Sequence, residues 1–491
     1  MRLVLDRTAR RLDGGRLLVA GSPLTVFRLG PAGARVVDAI AVGADVGPAA
    51  QPLVDRLLDT GAAHPRPAGE RYGPADVTVV IPVRDDDPRA TLDALGPVGA
   101  VVVVDDGSLR PVVAPGASLL RHDRPLGPAA ARTTGAAGVT TPLLAFVDAD
   151  CVPTAGWLDP LLAHFDDERV AFAAPRVVSR AADPVTASGA FARYEASRSP
   201  LDLGPVEGRI APATRIAYAP AAAVLVRRQA LVEVGGFDPS LRVGEDVDLV
   251  WRLVDAGWRA RYEPQSVVGH RPRATLSALL RQRFGYGRSA GALDRRHPGA
   301  VAPVVTGPAA AGGWALAGAG HPIAGALLGL TPAVAVRRTL PAVHGRDALS
   351  LRLAALGLLR AGEQLASAVT RIWWPVALPA AVGVRRLRRP VLAAALLPVM
   401  IDWSRTVGAA PLARLDPVRY LGLRLLDDAA YGAGVWVGAV CARTPRVVLP
   451  RFASRPSAPD PVGGAAARLR ARARALASTV RRTARPAPAP R

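Results

Sequence analysis

Between residues 75 and 300, short apolar runs alternate with amphipathic stretches. Val77–Val83 (VTVVIPV), Val101–Val104 (VVVV) and Leu143–Val147 (LLAFV) are candidate buried strands. A helical pattern over Gly127–Gly138 separates the last two, and Ala221–Val226 is followed by helical patterns near Arg228–Val234 and over Asp246–Ala256. This alternation predicts a parallel α/β sheet.

The flanks follow other patterns. Arg16–Val19 and Thr25–Leu29 flank Gly21-Ser22-Pro23, which predicts a hairpin, and helices are expected at Ala32–Val42 and Ala49–Thr60. Pro and Gly crowd His64–Gly69, so residues 1–73 are expected to form a small α+β module ending in a linker. The N-terminal run MRLVLDRTARRLDGG is too broken by charge for a signal peptide.

On the other side, Val301–Val336 contains no Asp, Glu or Arg and ends in Arg337-Arg338. A membrane span needs roughly 20 apolar residues, so one tilted helix or a hairpin of two short segments would fit. Ile372–Val384 is apolar again, followed by Arg385-Arg386-Leu387-Arg388-Arg389 and then Val391–Ile401. Residues 301–462 are thus expected to form an apolar helical region at a membrane, the other reading being an Ala-rich soluble helical region. Residues 463–491 are a basic tail, with an amphipathic surface helix expected over 465–480 before a disordered Pro/Ala end.

Composition sharpens this division. Half of the 491 residues are hydrophobic, which excludes a mainly disordered chain. The 62 basic and 40 acidic residues leave a net charge of +22, and with no Lys present every basic residue is Arg. From Val301 onward 26 Arg oppose 7 acids, so the first 300 residues carry only about +3. A nucleic-acid enzyme would spread that charge over its working domain. A basic excess beside apolar segments instead favours a membrane surface, and no nucleic-acid partner is expected. Cys151 and Cys441 lack metal-ligand spacing, which leaves a reducing, cytoplasmic setting.

The candidate chemistry sits where strands end. Leu143–Val147 runs into Asp148-Ala149-Asp150, and ligands of open α/β sheets bind at carboxyl ends of strands. Two acids one residue apart can hold a hard divalent cation and the diphosphate it neutralises. The valine strand likewise runs into Asp105-Asp106-Gly107-Ser108, where a carboxylate could accept the N3–H of a uracil. Glu245-Asp246 opens a helix, where acids cap free N–H groups or one of them serves as a general base.

The ordered set Ile81-Pro82-Val83, Val104–Ser108, Gly127–Arg132, Phe146–Asp150, Gly235–Asp238 and Gly244–Asp246 resembles family 2 glycosyltransferases of the GT-A fold over roughly residues 76–295. The resemblance implies a Rossmann-like nucleotide-diphospho-sugar domain at 74–300 and a UDP-sugar donor. It implies that Pro82, Asp105 or Asp106, Arg132, Asp148 and Arg288 bind the nucleotide sugar. Asp150 and His270 would ligate Mg2+ or Mn2+, and Asp246 would be the catalytic base with Glu245 beside it. His270 could equally be a surface histidine after a strand, and the segment Arg281–Arg288 a basic solvated helix. Arg84-Asp85-Asp86 departs from the Tyr-Asn that relatives often carry after the first strand.

Residues 3–62 resemble the winged-helix-like domains that bind precursor peptides, though a generic α/β cap fits as well. That module order is similar to the mycofactocin-pathway group of the family. Its members add β-linked glucose to a peptide-derived redox cofactor or its precursor. The expected setting is therefore the cytoplasmic face of a bacterial plasma membrane. Two other readings stay open: a membrane-bound polysaccharide synthase or cell-envelope glycosyltransferase, and a non-catalytic scaffold that binds a sugar nucleotide or peptide. The chain has only Arg281-Gln282-Arg283-Phe284 where a synthase would carry Gln-x-x-Arg-Trp.

Overall fold

The computed structural model describes residues 2–180, 190–273, 275–342, 345–409 and 415–452. The basic tail at 463–491, with its expected helix, lies outside the described residues.

The central domain is built on one nine-stranded sheet. Along it lie Cys151–Pro153, Arg259–His270, Val170–Ser179, Ala223–Arg227, Leu143–Val147, Val77–Val83, Ala100–Asp105 and Ser118–Arg121, with Gly208–Arg209 added beside Arg259–His270. The last four strands in that order are mutually parallel, as the alternation predicts. Ala223–Arg227 is antiparallel to both its neighbours, so the sheet is mixed and not wholly parallel. Apolar runs of this kind look alike in either direction, because strand direction is set by the connections.

Both faces of the sheet are buried. Leu143, Ala145 and Val147 enter one apolar cluster with Trp157, Leu161 and Phe165, while Leu144 and Phe146 enter the opposite one with Ala129, Leu249 and Leu253. The side-chain period of two along a strand requires this split, and double burial explains the unbroken apolar sequence. Each such side chain contributes roughly 1.5–3 kcal/mol by leaving water.

The N-terminal module matches its expected elements closely. Leu17–Ala20 pairs with Thr25–Arg28 in a three-stranded meander with Arg10–Leu12, and helices span Pro31–Ala41 and Gln51–Thr60. The expected linker is corrected in part: Ala63–Arg66 is a strand antiparallel to Arg2–Leu5, and buried His64 bonds to Asp6 at 2.9 Å. Arg259 ties the module to the central domain, donating to Asp59 and Asp55 of the module and to Asp167, each at 2.7 Å.

The described residues after 300 are mainly helical, with Val305–Thr306 and Arg451–Phe452 paired as short parallel strands. The 301–336 run forms short helices, Pro308–Gly318 and Pro322–Leu330, packed as a hairpin through Gly313 and Gly325, followed by Pro332–Thr339. Among the described residues no single helix is long and apolar enough to cross a membrane. Arg346–Arg371 and Trp374–Gly383 reach that length and apolarity only together, bent by 87°. The helix Pro417–Ala442 lies against Leu276–Arg296, where Gly287, Gly291, Gly434 and Gly438 let the two backbones touch. Small residues at such crossings replace side-chain packing with backbone contact.

Candidate active site

The site forms where strand ends of the mixed sheet meet the start of one helix. Asp148 follows Val147, and its N–H donates to Ala222 O at 2.8 Å because Ala223 pairs with Val147 in the antiparallel register. The next residue back, Ala221, donates its N–H to Asp246 Oδ2 at 3.2 Å. The start of helix Glu245–Asp255 is thereby pinned beside the Asp148–Asp150 turn. Gly244 enters that helix with φ +85°, in the left-handed region that disfavours a side chain. Buried Asp248 anchors the helix further, accepting from Arg252, Arg296 and His297 at 2.7, 2.6 and 3.0 Å.

Buried Arg132 links three of the expected residues. It donates to Glu245 and to Asp148, each at 2.7 Å, and its guanidinium lies 5.5 Å from the Phe237 ring centre. The Glu245 carboxyl is pushed up to about 7, first by burial and then by the Asp246 charge, against the pull of Arg132. Asp246 itself accepts only backbone N–H groups in the hydrogen bonds it makes, those of Ala221 and Val247.

Asp150 and His270 meet across the pairing of Cys151–Pro153 with Arg259–His270, in which Cys151 lies opposite His270. His270 Nε2 stands 3.3 Å from Asp150 Oδ2, and Arg273 approaches the same oxygen at 3.8 Å. Burial raises the Asp150 carboxyl, but His270, then Arg273 and Arg271, outweigh it and hold it below the ordinary range. An acid and an imidazole this close fit two ligands of one cation. No group of three or more potential protein ligands occurs among the described residues.

A cavity of about 790 Å³ opens onto all of this. Arg132, Asp148, Asp150, Glu245, Asp246 and His270 line it together, although more than a hundred residues separate the first from the last. That volume is in the range of small-molecule sites.

Four expected residues do not line that cavity: Pro82, Asp105, Asp106 and Arg288. Asp105 is fully buried and accepts from Ser108 N, Val112 N and Arg121, which keeps its carboxyl low despite burial. Asp106 accepts from His122, Leu126 N and Gly127 N, each at 2.8 Å, and so ties the turn to the helix Pro128–Ala136. Arg288 is exposed, with its backbone against Gly438 of the neighbouring helix. The guanidinium that reaches the cavity from that helix is Arg283, buried between Asp427 and Glu195. Arg273, Arg371, Asp427 and Tyr431 also line the cavity and belong to no motif of the sequence.

The sequence profile of glycosyl transferase family 2 matches residues 95–232. The pre-mycofactocin glycosyltransferase of Mycobacterium tuberculosis is 42% identical over 467 residues, covering 91% of this chain and 97% of its own. The succinoglycan biosynthesis protein ExoA of Rhizobium meliloti is 37% identical over 93 residues, 17% of this chain and 28% of its own. A mannosyltransferase of Pyrobaculum calidifontis solved with GDP-mannose and Mn2+ overlaps 68% of this chain and 89% of its own, with 19% identity and a TM-score of 0.35. With a near full-length relative at that identity, the chain belongs to glycosyltransferase family 2.

Proposed function

We propose that this chain is an inverting hexosyltransferase that moves glucose from UDP-glucose to a hydroxyl of pre-mycofactocin, a peptide-derived redox cofactor precursor, forming β-linked sugars. The observation that carries the reading is the convergence of Asp148, Asp150 and Asp246 on one cavity. The acceptor is taken from the name of the M. tuberculosis relative.

In this reading Asp150 and His270 would hold Mg2+ or Mn2+, whose charge, when bound, stabilises the negative charge of the departing diphosphate. Arg132 fixes Asp148 and Glu245, so the acids around the donor keep their places without rearranging during the reaction. The acceptor hydroxyl attacks the anomeric carbon from the face opposite UDP, the bond to the diphosphate oxygen breaks, and the proton passes to Asp246. One displacement inverts the centre, so an α-linked donor gives a β-glycoside. A uracil contact at the Val104–Ser108 turn would require Asp106, which does not line the cavity, to give up a bond from His122, Leu126 N or Gly127 N. The N-terminal module, held by Arg259, would hold the peptide-derived acceptor or its precursor peptide.

The region after residue 300 is proposed to rest on the cytoplasmic face of the plasma membrane. Support comes from exposed Ile323 and Leu327 on Pro322–Leu330, and from exposed Val382 and Leu397 on the helix before and the helix that carries Arg385, Arg386, Arg388 and Arg389. Sedimentation with anionic and with neutral vesicles checks this: binding to the anionic vesicles alone is expected, and absence from both contradicts it.

The reaction is tested by incubating the protein with Mn2+, a panel of UDP-sugars and pre-mycofactocin, and weighing the products by mass spectrometry. A hexose mass increment with UDP-glucose is expected. UDP release without transfer to the acceptor, or no UDP release from any donor, contradicts the reading.

A further inference from the structure

The cavity has a wall that the donor does not need. Besides the acids it is lined by Tyr218, Tyr286, Tyr431 and Arg371, of which Tyr431 and Arg371 come from the helices after residue 300. None of the three tyrosine hydroxyls makes a hydrogen bond among the described residues, and none is sealed away from the cavity.

Glycines set this wall. At Gly287 a side chain would strike the carbonyl oxygen of Tyr431, so its absence lets the two helix backbones meet at Tyr431. At Gly432 a side chain would strike the carbonyl oxygen of Arg371, so that helix end also reaches the wall. The Arg371 guanidinium then lies 4.0 Å from the Tyr431 ring centre, a stacked cation–π contact. Tyr218 belongs to the segment leading to Ala221, whose N–H holds Asp246, so the wall begins beside the proposed base. Of the nearby acids, Asp427 is already engaged by Arg283 and Tyr194, and Asp428 by Arg424 and, at 3.7 Å, by one Arg371 nitrogen, which leaves the tyrosine rings, their phenols and the remaining N–H groups of Arg371 to meet a ligand.

We infer that Tyr218, Tyr286, Tyr431 and Arg371 form the acceptor subsite, with the helices after residue 300 supplying half of it. The inference rests on the donor reading above, because it needs the cavity's acids to hold the nucleotide sugar. One face of the Tyr431 ring carries Arg371, so the tyrosine rings, their O–H groups and the remaining Arg371 N–H groups suit a ring that carries carbonyl or hydroxyl oxygens. The C-terminal helices therefore select the acceptor in addition to any role at a surface.

The test uses the full chain with UDP-glucose, Mn2+ and pre-mycofactocin, together with UDP binding by calorimetry. Tyr431→Ala and Arg371→Gln are each expected to raise the acceptor KM by about tenfold or more, with UDP affinity within about twofold of the unaltered protein. Tyr431→Phe keeps the ring and is expected to show a smaller rise, which controls for folding. Unchanged acceptor KM in both variants, with UDP binding intact, overturns the inference. Weakened UDP binding with unchanged acceptor KM also overturns it, by assigning the wall to the donor. Failure of the unaltered protein to bind UDP overturns the donor reading first, and this inference with it.

Discussion

His270 stands 3.3 Å from Asp150 because Cys151 is paired with His270 across an antiparallel bridge of short strands. The register, more than either residue alone, makes the acid and the imidazole neighbours. If they are joint ligands, removing either should weaken the response of UDP binding to Mn2+. Calorimetric titration of UDP with and without Mn2+ is expected to show apparent metal affinity weaker by about tenfold or more in Asp150→Ala and in His270→Ala. An undiminished Mn2+ effect in His270→Ala would make it a structural residue.

The Glu245 carboxyl, held near about 7 by burial and by Asp246, gives the reaction a pH signature. Below that value Glu245 retains its proton and above it is ionised, so the charge beside the proposed base changes, and transfer should change, as pH passes through about 7. In Glu245→Gln that carboxyl no longer titrates, and the limb near 7 should disappear. The pH profile of kcat/KM for the acceptor reads this, and a limb unmoved in Glu245→Gln would contradict it.

The backbone contact between helices Leu276–Arg296 and Pro417–Ala442 predicts opposite signs for two glycines on one helix. A Cβ at Gly434 would strike the Phe284 carbonyl, which cannot give way as a flexible side chain would. Gly434→Ala should destabilise by about 1–3 kcal/mol, as overpacking does. Gly422 faces open space, so Gly422→Ala should stabilise by roughly 0.5–1 kcal/mol through helix propensity. Thermal unfolding of the two variants checks the pair of signs.

Much of this was legible in the sequence where local pattern and long-range geometry agree. The unbroken apolar run Leu143–Val147 announces a strand buried on both faces, and the acids after it fall at the strand end because a buried strand must surface somewhere. Asp105 and Asp106 have the same local signature, yet their oxygens are taken up by Ser108, Val112, Arg121, His122, Leu126 and Gly127. Nothing in Asp-Asp-Gly-Ser distinguishes a carboxylate that closes a turn from one that waits for a ligand. Arg283 and Arg288 lie little more than one turn apart in one helix, and only the partner helix decides which faces the cavity. Tyr431 and Arg371 carry no motif because packing at Gly432 and Gly287 brings them in. Glycines at four-residue spacing, Gly287 with Gly291 and Gly434 with Gly438, were the available signal for that packing.

In the proposed reaction Asp246 takes the acceptor's proton while other residues hold the donor, so transfer and UDP binding are to be measured in one preparation of Asp246→Asn. A loss of the base should lower turnover by about 10²–10⁴-fold with UDP affinity unchanged. Near-normal turnover in Asp246→Asn, or a loss of UDP binding that parallels the loss of transfer, would contradict the account.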